Sequence, residues 1–431
     1  MTSSSGDSKR TLMCRSVWLR RQRAKTKRHK LRVSLATAKG PTHQQGGVSE
    51  DSQNTVPVIE LDKFPEDVLH HIYSLVPLRD AARAACVSRM FLRSWRRFPN
   101  LTFNWEAFGL NLDEGPLYER AQKFANGIHR ILENHSGTGV KTLNLQVRPC
   151  GDVITANHLD FWLRAAVKSG IIELALDLPR IQRCFFDCTI SLEKLEVSQG
   201  PPMKISIGSP SQLKNMTMNG QCYSGMFQYA LTQLQSITSN LQTLTLLSSA
   251  EAFNIPVSPD KFLHLRNLKI YCGGMENFDF FSLASFLKAC PTLESFFLSV
   301  GPHFDVRRDS IIHECSRADS SHRRRTAEFH RSNLKKVTIT GFCSAKSLIE
   351  LTWQILESSS SLQSLVLDTT GGYDNTGICD YMEKKAVMEA LRGVEAIKKY
   401  IKGKVPSSVN LKVLEPCGRC HIPKLRKLGP G

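Results

Sequence analysis

A six-residue pattern, apolar-x-x-apolar-x-apolar, recurs nine times and constrains the fold more than any other feature of the chain. It reads Val140/Leu143/Leu145, Ile171/Leu174/Leu176, Leu192/Leu195/Val197 and Leu213/Met216/Met218. It continues as Leu241/Leu244/Leu246, Leu265/Leu268/Ile270, Leu293/Phe296/Leu298, Leu334/Val337/Ile339 and Leu362/Leu365/Leu367. The central residues lie 31, 21, 21, 28, 24, 28, 41 and 28 positions apart. The alternation at the end of each copy has the period of a half-buried strand. One strand with one apolar side cannot bury that side alone, so successive copies must stack.

A step averaging about 28 residues, with one short strand per step, is the spacing of leucine-rich repeats. Leu143 and Leu145 then point into the stack, while Thr142, Asn144 and Gln146 face outward on the concave sheet. The equivalent outward positions form a candidate target-binding face, which includes Asn144, Asp177, Glu196, Asn219, Lys269, Phe297, Thr338 and Asp368. Their mixed size and charge favour a protein target; a pocket for a small ligand is a further option. Leu159–Val167, Met226–Ile237, Phe281–Ala289 and Leu348–Leu356 carry helical apolar spacing and are expected on the convex side. The two 21-residue steps leave room only for a turn or a short 3-10 piece. The longest step holds a polar insertion, 301–333, rich in Arg and Ser, which is expected as a surface loop. Tyr381–Ile401 reads as a final helix, with Val387, Ala390, Leu391, Val394 and Ile397 on its apolar side, and is expected to cap the last repeat.

Upstream, Val58–Arg97 packs helix starts and stops closely together. Asp62 can cap a first helix, Pro65 suits its first turn, and Glu66 and Asp67 favour the positive end of its dipole. Val68, Leu69, Ile72 and Leu75 recur at helical spacing, and Pro77 stops the run. Asp80 opens an alanine-rich helix, and Ser88 caps a third that carries Phe91, Leu92 and Trp95. Three helices in about forty residues bury little surface by themselves. Apolar positions left over are therefore expected to meet a partner.

The run Phe64-Pro65-Glu66-Asp67-Val68-Leu69, then Ile72, Leu75, Pro77-Leu78-Arg79-Asp80, Cys86-Val87-Ser88-Arg89 and Trp95, resembles the F-box. It departs from the family pattern at Phe64, Val76 and Met90-Phe91. The stretch Lys335–Tyr373 is similar to plant, especially grass, F-box/leucine-rich-repeat proteins, and the resemblance runs from about residue 57 to the end. It implies a non-catalytic substrate-recognition subunit of a cullin-based (SCF-type) ubiquitin ligase. The F-box would hold a Skp-type adaptor, and through it a cullin, by Phe64, Pro65, Val68, Leu69, Ile72, Leu75 and Pro77. The repeats would hold a protein target for ubiquitination. The fold class expected is α/β: a small all-helical F-box, then an irregular leucine-rich-repeat solenoid with a curved parallel sheet and helices or loops on its convex side. The domain boundaries expected are a disordered basic tail over 1–55, the F-box over 57–98, and a connector with capping helix over 99–136. Repeats occupy 137–370, and a capping helix and tail 371–431. Within the connector, Phe103, Trp105 and Phe108 are expected to join the F-box to the repeats, and Leu117, Ala121, Phe124, Ile128, Ile131 and Leu132 to share one helix face.

The net charge of +18 is uneven, because residues 1–55 carry half of it, including the run Arg20–Arg32. That run suits nuclear import, nonspecific nucleic-acid contact, an organelle transit peptide or a plain solvated tail. It supplies the alternative reading, a non-ligase repeat scaffold or a basic nucleic-acid-associated protein. Against this, the concave positions are not basic and show no series of stacking aromatics. No run of 18 apolar residues occurs, so no membrane span is expected, and the N-terminus lacks the apolar stretch of a secretory signal. Thirteen scattered cysteines suit reduced thiols, so nucleus or cytoplasm is the compartment expected. The N-x-S/T sequences at Asn100, Asn134 and Asn215 carry no weight without a secretory context. Cys417-Gly-Arg-Cys420-His421 spells a haem-attachment motif, but no second ligand pair lies near it in sequence. Cys184 and Cys188 read as core or loop thiols, and His70 and His71 as polar-face residues of the first helix. With no phosphate-binding loop or nucleophile motif either, no metal, cofactor or catalytic residue is expected.

Overall fold

The computed structural model describes residues 65–87, 89–110, 115–136, 140–167, 171–178, 186–188, 192–198, 205–207, 212–220, 225–234, 238–248, 262–273, 278–301, 309–312, 332–371, 382–418 and 421. The basic tail, Phe64, Asp62, Ser88, Cys184 and most of the 301–333 insertion lie outside them.

Helices α1 (Glu66–Leu75), α2 (Leu78–Ala85) and α3 (Arg89–Trp95) open the described chain. Pro65 and Pro77 stand at the N-caps of α1 and α2, where a missing N–H costs nothing. The second helix thus starts at Leu78, earlier than Asp80. Tyr73 is buried between Phe91 (ring centroids 5.6 Å apart) and Phe98 (6.3 Å).

Eleven parallel strands then form one sheet. They are β1 (Asn100–Phe103), β2 (Thr142–Gln146), β3 (Glu173–Asp177), β5 (Lys194–Ser198), β7 (Asn215–Asn219), β8 (Thr243–Ser248), β9 (Asn267–Cys272), β10 (Ser295–Val300), β11 (Lys336–Thr340), β12 (Ser364–Asp368) and β13 (Asn410–Leu414). Strands β4 (Phe186–Cys188) and β6 (Ile205–Ile207) pair with each other in a second, two-stranded sheet, so the two shortest steps each contain a strand rather than only a turn.

All nine copies of the apolar pattern are strands of the large sheet, and their centres share one register. Leu143 stands beside Leu174, which stands beside Leu195, and the row runs on through Met216, Leu244, Leu268, Phe296, Val337 and Leu365. Steps of 21 and 41 residues are both absorbed without a slip. A slip of one residue would turn every leucine out to solvent, so the buried face sets the register and the connections only have to close. Backbone bonds reinforce it: the residue after each first apolar position donates to its counterpart one repeat back, as in Ile172 N to Lys141 O (2.9 Å) and Lys335 N to Glu294 O (2.9 Å).

Two strands of the large sheet also differ from the sequence reading. The connector contains β1, which pairs with β2 through Leu101 beside Leu143 and Phe103 beside Leu145. Phe98, Leu101 and Phe103 spell the same pattern with aromatics in place of leucines. At the other end, β13 pairs with β12 beyond the expected last repeat, and Leu411 stands beside Leu365. Its first position is Ser408, so the strand lacks the apolar residue that opens every other copy.

Helices α4 (Leu117–Asn134), α5 (Ala156–Val167), α6 (Met226–Thr232), α7 (Ala284–Ala289), α8 (Lys346–Ser358) and α9 (Lys384–Ala396) lie between strands in the chain. Ala121, Phe124, Ile128 and Leu132 of α4 are buried as expected and Ile131 is half-buried, whereas Leu117, in the first turn, is exposed. Trp105 and Phe108 pack on Phe124, with centroids 5.8 Å and 4.8 Å away, and Phe103 packs on Phe108 at 6.2 Å, so the three fasten α4 to β1. Val387, Ala390 and Val394 are buried along α9 and Ile397 just after it, while Leu391 is half-buried. This helix does not end the stack; it runs into a π-helical turn, Ile397–Ile401, and is followed by β13, the actual end strand. The core is continuous from Tyr73, Leu78 and Phe98 through the repeats to Val409. No helix among the described residues is long and apolar enough to cross a membrane.

Candidate protein-interaction surfaces

One side of the sheet is more open than the other. The strands show this directly: β2, β3 and β10 alternate half-buried and buried residues along their length. Six of the eight outward positions expected from sequence, Asn144, Asp177, Glu196, Asn219, Phe297 and Thr338, are half-buried on the open face, and Lys269 is exposed there. Asp368 is a correction. It is fully buried, and its Oδ1 accepts bonds from Thr370 N (2.8 Å) and Thr370 Oγ1 (2.6 Å). The carboxylate closes the turn that leaves β12, so it serves the fold rather than a target. Asp177 is engaged within the chain by the Arg148 guanidinium at 2.6 Å.

The open face is divided by charge. On β3 and β5 it presents Glu173, Asp177 and Glu196, and Glu173 pairs with Lys194 at 3.2 Å. From β9 to β13 it presents Lys269, Lys336 and Lys412, all exposed, around Phe297 and Val366, so this half is basic, contrary to the reading from sequence.

The second surface lies on the three helices. Val68, Ile72 (40% exposed) and Leu75 (73% exposed) stand at positions i, i+4 and i+7, which places them on one face of α1. Val87 (79% exposed) and Leu92 add apolar area that sequence spacing did not assign to a partner. Pro65 and Pro77 are exposed as well. Leu69 is a correction: only 3% exposed, it faces the interior of the helical unit and cannot touch a partner in this fold. Phe64 lies outside the described residues. A stripe of large apolar side chains left in water on so small a unit marks an interaction site.

No group of His, Cys, Asp and Glu among the described residues is arranged to hold a metal ion. Cys417 and His421 bond to each other, Cys417 N donating to His421 Nδ1 at 3.2 Å and His421 N to Cys417 O at 3.1 Å; Cys420 lies outside the described residues. Burial pushes the Cys150 thiol up to about 12, away from any nucleophilic role.

A family profile described as F-box domain matches residues 61–103, and one described as At1g61320/AtMIF1, LRR domain, matches 131–195 and 190–418. The chain belongs to the plant F-box/leucine-rich-repeat family. Among its Arabidopsis thaliana relatives, the putative F-box/LRR-repeat protein At3g58880 is 25% identical over 194 residues, 43% of this chain and 41% of the relative. The putative F-box/LRR-repeat protein At5g02930 is 24% identical over 171 residues, 38% of this chain and 32% of the relative. The FBD-associated F-box protein At5g56370 is 27% identical over 142 residues, 31% of each chain. Each alignment therefore spans well under half of the relative's length. In this F-box/leucine-rich-repeat protein, the two profiles fall on the two surfaces: the exposed helical stripe lies in the F-box, and the open sheet face is built from the repeats.

Proposed function

We propose that this protein is the substrate-recognition subunit of an SCF-type ubiquitin ligase, with its F-box seated on a Skp-type adaptor linked to a cullin and its repeats holding a protein target. It would perform no covalent chemistry itself. The observation that carries the reading is the Val68–Ile72–Leu75 stripe, with Val87 and Leu92, left in water on a segment that matches the F-box profile. Burying such side chains against an adaptor is worth roughly 1.5–3 kcal/mol each at full burial.

Co-expression with a Skp-type adaptor tests it. Leu75→Asp changes a side chain that is 73% exposed, so the fold should persist; Ile72→Asp, at 40% exposure, is read together with its melting temperature. Each would place an unpaired carboxylate in the adaptor interface and weaken co-purification by about a hundredfold. Leu69→Ala is the control, because it acts through folding and should lower thermal stability. A folded wild type that ignores the adaptor would sink the ligase reading.

A further inference from the structure

We propose that the β9–β13 half of the open face docks an acidic segment of the target that carries an aromatic or large aliphatic anchor. This rests on the reading above only in taking the sheet as the target-holding surface. One row of the register crosses this half: Lys269 beside Phe297, then Thr338, Val366 and Lys412. At about 4.8 Å per strand, the two lysines stand roughly 19 Å apart with an apolar and threonine floor between them. Lys336 lies on the same face, two residues before Thr338. Tyr271 packs its ring against Phe297 at 5.4 Å, which holds that anchor in place.

Among the described residues, none of Lys269, Lys336 and Lys412 has a carboxylate partner. Three acids in or next to these strands are engaged elsewhere. Glu294 takes Arg266 (3.7 Å) and Lys335 (3.4 Å), Glu415 takes Lys398 (3.3 Å), and Asp368 is buried on Thr370. The β3–β5 half has the opposite sign, and two of its acids already hold Lys194 and Arg148. A segment laid on this face is thus drawn to the far half by charge and held there by contact with Phe297. Complementary potential of this kind selects a partner and speeds encounter. A protein segment suits the site better than a nucleic-acid strand. Three lysines spread around an apolar floor, with a single aromatic pair, do not make the continuous cationic groove and stacking series that a strand requires.

The experiment uses the full chain, with and without a Skp-type adaptor, and three fluorescent twelve-residue peptides of equal aromatic content, one acidic, one neutral and one basic. Anisotropy should show the acidic peptide binding at least tenfold tighter than the neutral one, and more weakly as salt rises. The double variant Lys269→Glu with Lys412→Glu should remove that preference, and Phe297→Ala should weaken the acidic peptide about tenfold. Lys123→Glu, a charge reversal at an exposed position of helix α4 rather than on the sheet, should leave its affinity unchanged. Equal binding of acidic and neutral peptides, or an acidic preference that survives the double variant, overturns the proposal. So does a single-stranded oligonucleotide that binds tighter than every peptide. Adaptor co-purification is read separately: its failure with the peptide preference intact removes the ligase reading and leaves the docking site standing.

Discussion

Leu69 and Ile72 are three residues apart on one helix and do opposite jobs. Leu69 is 3% exposed and holds the unit together, while Ile72 is 40% exposed at its surface. Periodicity cannot separate them, since both belong to one apolar arc of about 100 degrees and only the position of α3 decides which part is covered. Asp368 makes the same point on the sheet: strand alternation points it outward, yet the turn of Thr369 and Thr370 folds it in. Gly341, just past β11, is a position where one atom matters. Its φ is +71°, and an added Cβ would run into the Val300 carbonyl oxygen of the neighbouring strand. Gly341→Ala should therefore cost about 2 kcal/mol or more, because both the left-handed backbone and the close approach exclude a side chain. A urea midpoint unchanged from wild type would contradict this.

At the scale of elements, the end strands carry the least obvious roles. An open parallel sheet has two edges, and each exposes unpaired N–H and C=O groups. Here β1 runs on from the F-box helices, so one edge is built from the segment that joins the two parts. At the other end β13 covers β12, and Leu414 O accepts bonds from Thr369 N (3.0 Å) and Thr369 Oγ1 (2.9 Å). A chain ending at Pro406 would bare the whole of β12, including the Leu365 and Leu367 row. We expect it to associate or precipitate, seen as a rise in light-scattering mass at a concentration where the full chain stays unchanged. Retention of the full chain's elution and scattering would show that β13 is dispensable.

For the whole molecule, the junction between the F-box and the repeats is the place where adaptor and target would be held at a set distance. Its core is shared, since Tyr73, Leu78 and Phe98 belong to the same cluster as the repeats. Polar ties add to it: the His135 ring meets the Phe98 carbonyl at 3.1 Å, and Ser136 N and Oγ both donate to Arg96 O at 2.8 Å. Burial lowers the His135 pKa from its ordinary 6.5, against the smaller upward pull of the Phe98 carbonyl. Above that ordinary value the ring is neutral in both folded and unfolded chains, and the folded state has its full stability. As the pH falls below it, the unfolded chain takes up a proton that the folded ring resists, so stability is lost. Burial lowers His158 in the same direction, helped by the His129 charge. The melting temperature should thus fall as the pH drops from about 7 toward 5. His135→Gln, which does not titrate, should flatten part of that slope; an identical slope in the variant would remove His135 as a cause.

The nine-fold apolar pattern determined the repeat architecture and its register by itself, because each copy carries its own strand period and a slip would expose every leucine at once. The F-box was legible for a similar reason: proline stops and apolar spacing are local signals. Local spacing does not reveal which apolar residues stay in water, which acid folds back into a turn, or which aromatic or serine-led segments add a strand at an edge. Those outcomes depend on what stands opposite each residue in space. Only the tertiary structure sorted Leu69 from Ile72, drew Asp368 inward, placed β1 and β13 at the ends of the sheet, and gathered Lys269, Lys336, Lys412 and Phe297 from separate repeats onto one face.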